Sequence, residues 1–316
     1  LFDQGEISIH GQLLYSDSSL STTDQVLLMI NDNYLSLDGK INFKTNYIDI
    51  LTDLEKAEIQ LINSFLVGDF VSGLATGKLT IRGDLKNPSA NADLVCENII
   101  INDFHVKSID FNSRIEANGN STIGYIELKA EEGNWKDMNF ENGMISASIQ
   151  NDQITVENFN FKSGKDFLQF TGSYNGGNNY LIDRLQLAYR NNYLVNTTPI
   201  SFFYSDSNLN IDPFELHIND GVLEGYVYGK DNPEGQFKMS NFDAEILTSF
   251  FNDNKFMVSG LIFGEVWIKP LEKRLDLDID VSLKNGKYMN ESFDEMIISL
   301  LYKNDILHID DISMTK

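Results

Sequence analysis

Between residues 275 and 283, Leu275, Leu277, Ile279, Val281 and Leu283 alternate with Asp276, Asp278, Asp280 and Ser282. Successive side chains of a strand point to opposite sides, so this stretch makes one apolar and one acidic face. Leu79 and Ile81 alternate with Lys78, Thr80 and Arg82 in the same way. Turn residues punctuate such stretches at Asn118-Gly119, Asn142-Gly143, Asn151-Asp152, Asn219-Asp220-Gly221, Asn285-Gly286 and Asn304-Asp305. Asn, Asp and Gly tolerate the positive φ that tight hairpins need. A mostly antiparallel all-β body is expected.

The alternation slips at related places. "MISASIQNDQITVENFNF" (144–161) matches "IISLLYKNDILHIDDISM" (297–314), and "ISFFYSDSNLNIDPFEL" (200–216) is a looser copy. Ile154 and Val156 are followed by Phe159 and Phe161; Leu209 and Ile211 by Phe214 and Leu216; Leu307 and Ile309 by Ile312 and Met314. One extra residue per strand keeps all of them on one face. A β-bulge supplies that residue, and it also bends and twists the strand. Pro213 stands at one slip, where a missing N–H costs little. The alternative is that each slip ends one strand and begins another.

A longer repeat overlies these units. Val71-Ser72-Gly73 with Gly77 returns 187 residues later as Val258-Ser259-Gly260 with Gly264, and Ala57-Glu58-Ile59 returns as Ala244-Glu245-Ile246. Two segments before these blocks read as short helices. Leu51, Leu54, Leu61, Ile62 and Phe65 lie near one helical face, with Thr52 and Glu55 at capping-box spacing. Asp243 to Phe251 is the second, with Ile246, Leu247, Phe250 and Phe251 clustered. The expected organisation is 1–56 as the end of a preceding repeat, 57–243 as one full repeat and 244–316 as a second, truncated one. The chain is expected to be a piece of a longer protein. One continuous sheet and two tandem globular domains both fit this period.

The charge balance narrows the partners. Asp and Glu total 47 against 24 Lys and Arg, a formal net charge of −23. Such a surface repels polyphosphate and anionic headgroups, so nucleic acid is not an expected partner. With one cysteine, Cys96, no intramolecular disulfide forms; it lies in an apolar stretch and reads as a packed thiol. No apolar run approaches the roughly 18 residues of a membrane helix.

Catalytic and metal signals are weak. His10, His105, His217 and His308 show no metal-ligand spacing and read as strand residues on the wet face. No P-loop, G-x-S-x-G or G-x-G-x-x-G is present. Asp276, Asp278 and Asp280 stand roughly 7 Å apart along one strand face, lack EF-hand spacing and read as a solvated face. Asn120, Asn196 and Asn290 begin glycosylation-type triplets that chance supplies in an Asn-rich chain. No cofactor is expected, and the chain does not read as an enzyme.

At "FVSGLATGKLTIRGDLKNPSANADLVCENIIIND" (70–103) the sequence resembles the AsmA-like, TamB-type envelope proteins of bacteria. Those proteins carry a short helix, a loop, Gly-x-x-x-Gly with a strand, a further Gly, "NP" and another strand. Gly73, Gly77, Gly83, Asn87 and Pro88 match this, as do Gly260, Gly264 and Pro270 in the second copy, where Pro270 replaces the glycine. "LQFTGSY" (168–174) also looks familial. The resemblance implies an elongated, strongly curved, mostly antiparallel sheet forming an apolar groove, with short helices between repeats. It implies a periplasmic location in a parent anchored in the inner membrane, with phospholipid moved toward the outer membrane. It further implies an outer-membrane β-barrel partner engaged by a region outside this chain. No catalytic residues carry over.

The expected groove lining is Leu79, Ile81 and Leu94; Ile154, Val156, Phe159 and Phe161; Leu209, Ile211, Phe214 and Leu216; Leu277, Ile279 and Val281; and Leu307 and Ile309. Phospholipid acyl chains are the expected ligand. A structural or adhesive extracellular β-sandwich array also fits the residues, and the resemblance implies a role as an outer-membrane protein assembly factor as a further alternative.

Overall fold

A computed structural model describes residues 7–30, 33–59, 71–119, 121–135, 138–189, 192–205, 208–229, 233–245, 258–271, 274–288, 291–303 and 306–316. Nearly all of them are strand. The chain divides into two compact units, Leu1–Gly164 and Lys165–Lys316.

The first unit begins with four short strands, β1 (Ile7–His10), β2 (Leu13–Ser16), β3 (Ser19–Thr22) and β4 (Val26–Ile30). Then come β5 (Asn33–Asn42), β6 (Tyr47–Glu58), β7 (Val71–Asp84), β8 (Asn87–Ile101), β9 (Phe104–Asn118), β10 (Ser121–Trp135), β11 (Met138–Gln150) and β12 (Gln153–Ser163). Each strand from β5 to β12 pairs antiparallel with the next, in one unbroken ladder.

The second unit holds β13 (Asp166–Tyr174), β14 (Asn179–Tyr189), β15 (Asn192–Asn196), β16 (Ile200–Ser205), β17 (Asn208–Ile218) and β18 (Gly221–Tyr228). It continues with β19 (Glu234–Asp243), β20 (Val258–Leu271), β21 (Arg274–Tyr288), β22 (Glu291–Lys303) and β23 (Ile306–Thr315). β15 and β16 share one lane between β14 and β17. Asn196, buried at the break, accepts from the Leu185 N–H at 2.5 Å and donates to the Thr198 and Asp183 carbonyls at 2.8 and 3.1 Å. Its amide replaces ladder bonds that a broken strand leaves unmade. A side chain so engaged is no sugar acceptor.

The three phase slips are bulges inside single strands. The register shifts at Glu157 in β12, beside Pro213 in β17 and at Asp310 in β23. A second kind of slip crosses several strands along one line. On β8 to β11 the apolar positions jump three residues, from Cys96 to Ile99, Ile109 to Val106, Ala130 to Gly133 and Gly143 to Phe140. All four strands carry the extra residue at one level, so their mutual register is unbroken. Asn98 and Glu132 lie on this line with φ of 53° and 38°. The second unit repeats the crease, with Asn285 at φ 50° on β21 and apolar jumps from Leu283 to Gly286 and from Met296 to Phe293.

The most buried side chains gather at the creases. Ile99, Val106, Ile109, Ala130 and Phe140 form one cluster, which Cys96, Phe104, Phe111 and Phe161 flank. Phe140 stacks on Phe104 at 5.4 Å and meets Phe161 edge-on at 5.1 Å. Leu283, Phe293 and Ala244 form another cluster, and Ile218 with Phe242 a third.

Gly77 and Gly264 explain the repeated block. Their φ values are 142° and 145°, and a Cβ at either would overlap a carbonyl oxygen of the next strand, Asp93 and Asp280 respectively. Only glycine fits where backbones approach so closely in that conformation.

Several expectations are corrected. Residues 51–58, expected to be helical, belong to strand β6, and Leu61, Ile62 and Phe65 lie outside the described residues. Leu35 and Gly77 flank Leu54 in register, so strand pairing overrides a local helical pattern. Of the second helix, only Ala244 and Glu245 are described as helical, with the Glu245 N–H bonded to Asp243 Oδ1 at 2.9 Å. Asn142-Gly143 and Asn285-Gly286 are not turns. They lie inside β11 and β21, where Gly143 and Gly286 leave room for the rings of Phe161 and Phe293. Asn304-Asp305 lies outside the described residues.

Candidate apolar binding face

Residues paired directly across antiparallel strands share a face, so the registers decide which side chains meet. In the first unit Leu79 and Ile81 lie opposite Ala92 and Ala90, and Gly77 opposite Leu94. Leu94 pairs with Phe111, which pairs with Leu128, then Ile145, then Phe159. The next row ends Ala130, Gly143, Phe161. Across the bulge, Val156 pairs with Ala147, and Ile154 with Ile149. Leu79, Ile81, Leu94, Ile154, Val156, Phe159 and Phe161 therefore share one face of a continuous ladder.

The second unit repeats this. Leu209 lies opposite Tyr204 and Ile211 opposite Phe202 and Val227, while Phe214 and Leu216 pair with Gly225 and Leu223. Leu277, Ile279 and Val281 pair with Ile268, Val266 and Gly264 on one side and with Tyr302, Leu300 and Ile298 on the other. Leu307 and Ile309 then pair with Tyr302 and Leu300. These residues share one face of the second ladder.

Most of these side chains are half-buried. Ile154 is 40% exposed, Leu307 56% and Ile309 62%. Large apolar side chains left part-exposed in a contiguous set mark a binding surface.

The opposite face carries most of the charged side chains. Arg82 Nε bonds Asp49 Oδ1 at 2.6 Å, Lys107 Nζ meets Glu132 Oε2 at 3.0 Å and Lys269 Nζ meets Asp278 Oδ2 at 2.5 Å. Such exposed pairs each stabilise by under about 1 kcal/mol and mainly confer solubility. His105, His217 and His308 stand on this face, and His217 Nε2 lies 2.8 Å from Glu215 Oε1. Asp278 and Asp280 stand there too. Asp276 departs from the expected solvated row: it is 5% exposed and its Oδ1 has no hydrogen-bond partner. Lys269, directly across from it, bonds Asp278 instead.

Among the described residues no group of His, Cys, Asp and Glu is placed to hold a metal ion. Burial raises the pKa of the Cys96 thiol, which keeps it protonated and inert. An open depression of about 530 Å³ lies at the first crease, lined by Asn98, His105, Lys107, Glu132 and Asn139 among others. No described helix is long and apolar enough to cross a membrane.

Sequence reasoning missed Ile99, Val106, Phe140, Phe242 and Phe293, the side chains that close the creases. The signal was present, because Cys96 to Ile99 and Val106 to Ile109 show the same three-residue jump as the bulges. It also missed the ring row Tyr174, Tyr180 and Phe202, with centroids 5.2 and 5.0 Å apart.

No curated protein and no solved structure matches the chain. The family model described as TamB, N-terminal domain, matches residues 2–302. The chain belongs to the TamB family of bacterial envelope proteins, through that N-terminal domain.

Proposed function

We propose that the apolar face of each unit carries phospholipid acyl chains, as part of a periplasmic conduit between inner and outer membranes. The observation behind this reading is the shared face on which Leu94, Phe111, Leu128, Ile145 and Phe159 follow one another across five strands. Each buried methylene contributes roughly 0.8 kcal/mol, so a long chain binds without any specific polar contact. A lining of Leu, Ile, Val and Phe offers similar sites at neighbouring positions, which favours sliding over trapping. The −23 net charge keeps the opposite face in water and away from anionic headgroups. The parent is anchored in the inner membrane, and an outer-membrane barrel partner engages elsewhere. This role requires no catalysis.

Protein purified without detergent should carry phospholipid, read by mass spectrometry of an organic extract. Lipid no higher than in a β-sandwich control would sink the reading. Val156→Glu places a carboxylate on the half-buried apolar face, where an unpaired charge costs several kcal/mol or draws in water. The variant should stay folded by circular dichroism and lose most bound lipid. Unfolding instead would mean that Val156 sits in a closed core, as a structural array requires.

A further inference from the structure

The polar face of the second unit carries a separate signal, independent of the lipid reading. Glu215, Glu224, Lys238, Glu265 and Asp280 stand directly opposite one another in sequence from β17 to β21. Past Ser299 the same row reaches Asp311 on β23. Paired strands lie about 4.8 Å apart, so Glu265 faces Asp280 as a like-charge pair, and Glu224 faces Glu215, whose carboxylate is compensated by Thr197 and His217. Directly opposed like charges destabilise a sheet. The matching row of the first unit avoids this: Lys78 sits between Asp53 and Asp93, with its Nζ 3.7 Å from Asp53.

The neighbouring row is amphipathic. Tyr226, Gln236, Trp267, Asp278 and Leu301 follow one another across β18 to β22. Tyr228 and Ile297, on the same face, are 40% and 38% exposed. In the first unit the counterparts of Trp267 and Leu301 are Thr80 and Arg114. Asp276 stands on this face as well, 95% buried by its 5% exposure, with a carboxylate oxygen that nothing satisfies.

We propose that this face of the second unit docks a protein segment that mixes basic and apolar residues. Lysine or arginine side chains of that segment pair with the row from Glu215 to Asp311. Its apolar side chains rest on Trp267, Tyr226 and Leu301. Charge complementarity selects this occupant. An anionic membrane or nucleic acid is repelled by the row, and a small metal ion finds no convergent set of ligands among the described residues. Aromatic residues are enriched in the cores of protein interfaces, and charged residues belong to their polar rims.

The test uses the whole purified chain and a short synthetic peptide of alternating Lys and Leu. Calorimetry at physiological salt should show binding, weakened at least about tenfold by Glu265→Gln with Asp280→Asn. Asp53→Asn with Asp93→Asn, the same change in the first unit, should alter binding by less than about twofold. The Glu265→Gln, Asp280→Asn protein should melt at a higher temperature than the parent, which shows that lost binding is not lost fold. An oligolysine of equal charge should bind at least about tenfold more weakly, because it lacks the apolar half. Three results would each overturn the proposal: unchanged binding in the second-unit variant, equal binding of oligolysine, or a melting shift from magnesium or calcium alone that the same substitutions abolish. None of these readouts involves lipid, so failure of the conduit leaves them interpretable.

Discussion

The two copies of the long repeat have the same backbone plan and different fillings. β7 and β8 span Val71–Asp84 and Asn87–Ile101; β20 and β21 span Val258–Leu271 and Arg274–Tyr288, each shifted by the repeat length. The register breaks at Ser72/Leu74 in one and at Ser259/Leu261 in the other. At the first crease Ile99 lies opposite Val106; at the second, Gly286 lies opposite Phe293. Two medium side chains are exchanged for none and one large ring. Close packing tolerates such a swap because total volume is nearly kept. What is held constant is therefore the crease itself, with Asn98 and Asn285 in positive φ, together with the close-approach glycines at 77 and 264 further along the same strands. What varies is its filling and the polar face beyond it.

The largest break in this likeness should come from the fixed part. Gly77→Val and Gly264→Val should each cost at least about 3 kcal/mol, since both the conformation and the carbonyl contact exclude a side chain. Urea unfolding of the two variants checks this, and a cost under about 1 kcal/mol in either would deny the shared plan. Exchanging the fillings comes next. Gly286→Ile alone should lose about 2–3 kcal/mol by clashing with the Phe293 ring, and Phe293→Val alone a similar amount through a cavity. The double change, which copies the first crease, should recover about 1–2 kcal/mol. Additive losses would mean that the two creases are not equivalent.

Swapping charges on the polar faces should do least. Lys78→Glu gives the first copy the residue of the second and leaves Asp53 and Asp93 opposing a third acid, a loss of under about 1 kcal/mol that salt diminishes. Glu265→Lys should reverse the sign, since the new cation faces Asp280. It also faces Lys238, so the gain stays small. The faintest effect concerns pH. Hydrogen bonds from Thr197 and His217 hold the Glu215 carboxyl below its usual range. A lowered folded-state pKa adds stability above the unfolded pKa, and that stability is lost as pH falls through the folded value. Glu215→Gln should therefore lower the melting temperature slightly at neutral pH and converge with the parent as pH falls, which flattens the acid limb. A melting curve shifted equally at every pH would contradict this.

The alternation of Leu277, Ile279 and Val281 with aspartates was enough to define a strand with two unlike faces, because the two-residue period is a local property of extended backbone. The slips after Val156, Ile211 and Ile309 were legible for the same reason: an extra residue in one strand leaves a mark in that strand's own spelling. The sequence also carried the paired glycines, although not what they avoid. Tertiary structure alone decided the rest. Thr52 and Glu55 spell a helix start, yet β5 and β7 claim that stretch through hydrogen bonds from distant residues. Asn142-Gly143 and Asn285-Gly286 spell turns, yet rings from neighbouring strands need the space above those glycines. Whether an apolar face is closed or open depends on what bends over it, and a crease forms only when several strands carry their extra residue at one level. Likewise the opposed Glu265 and Asp280 are ordinary acids in the sequence and become a like-charge pair only once register sets them side by side.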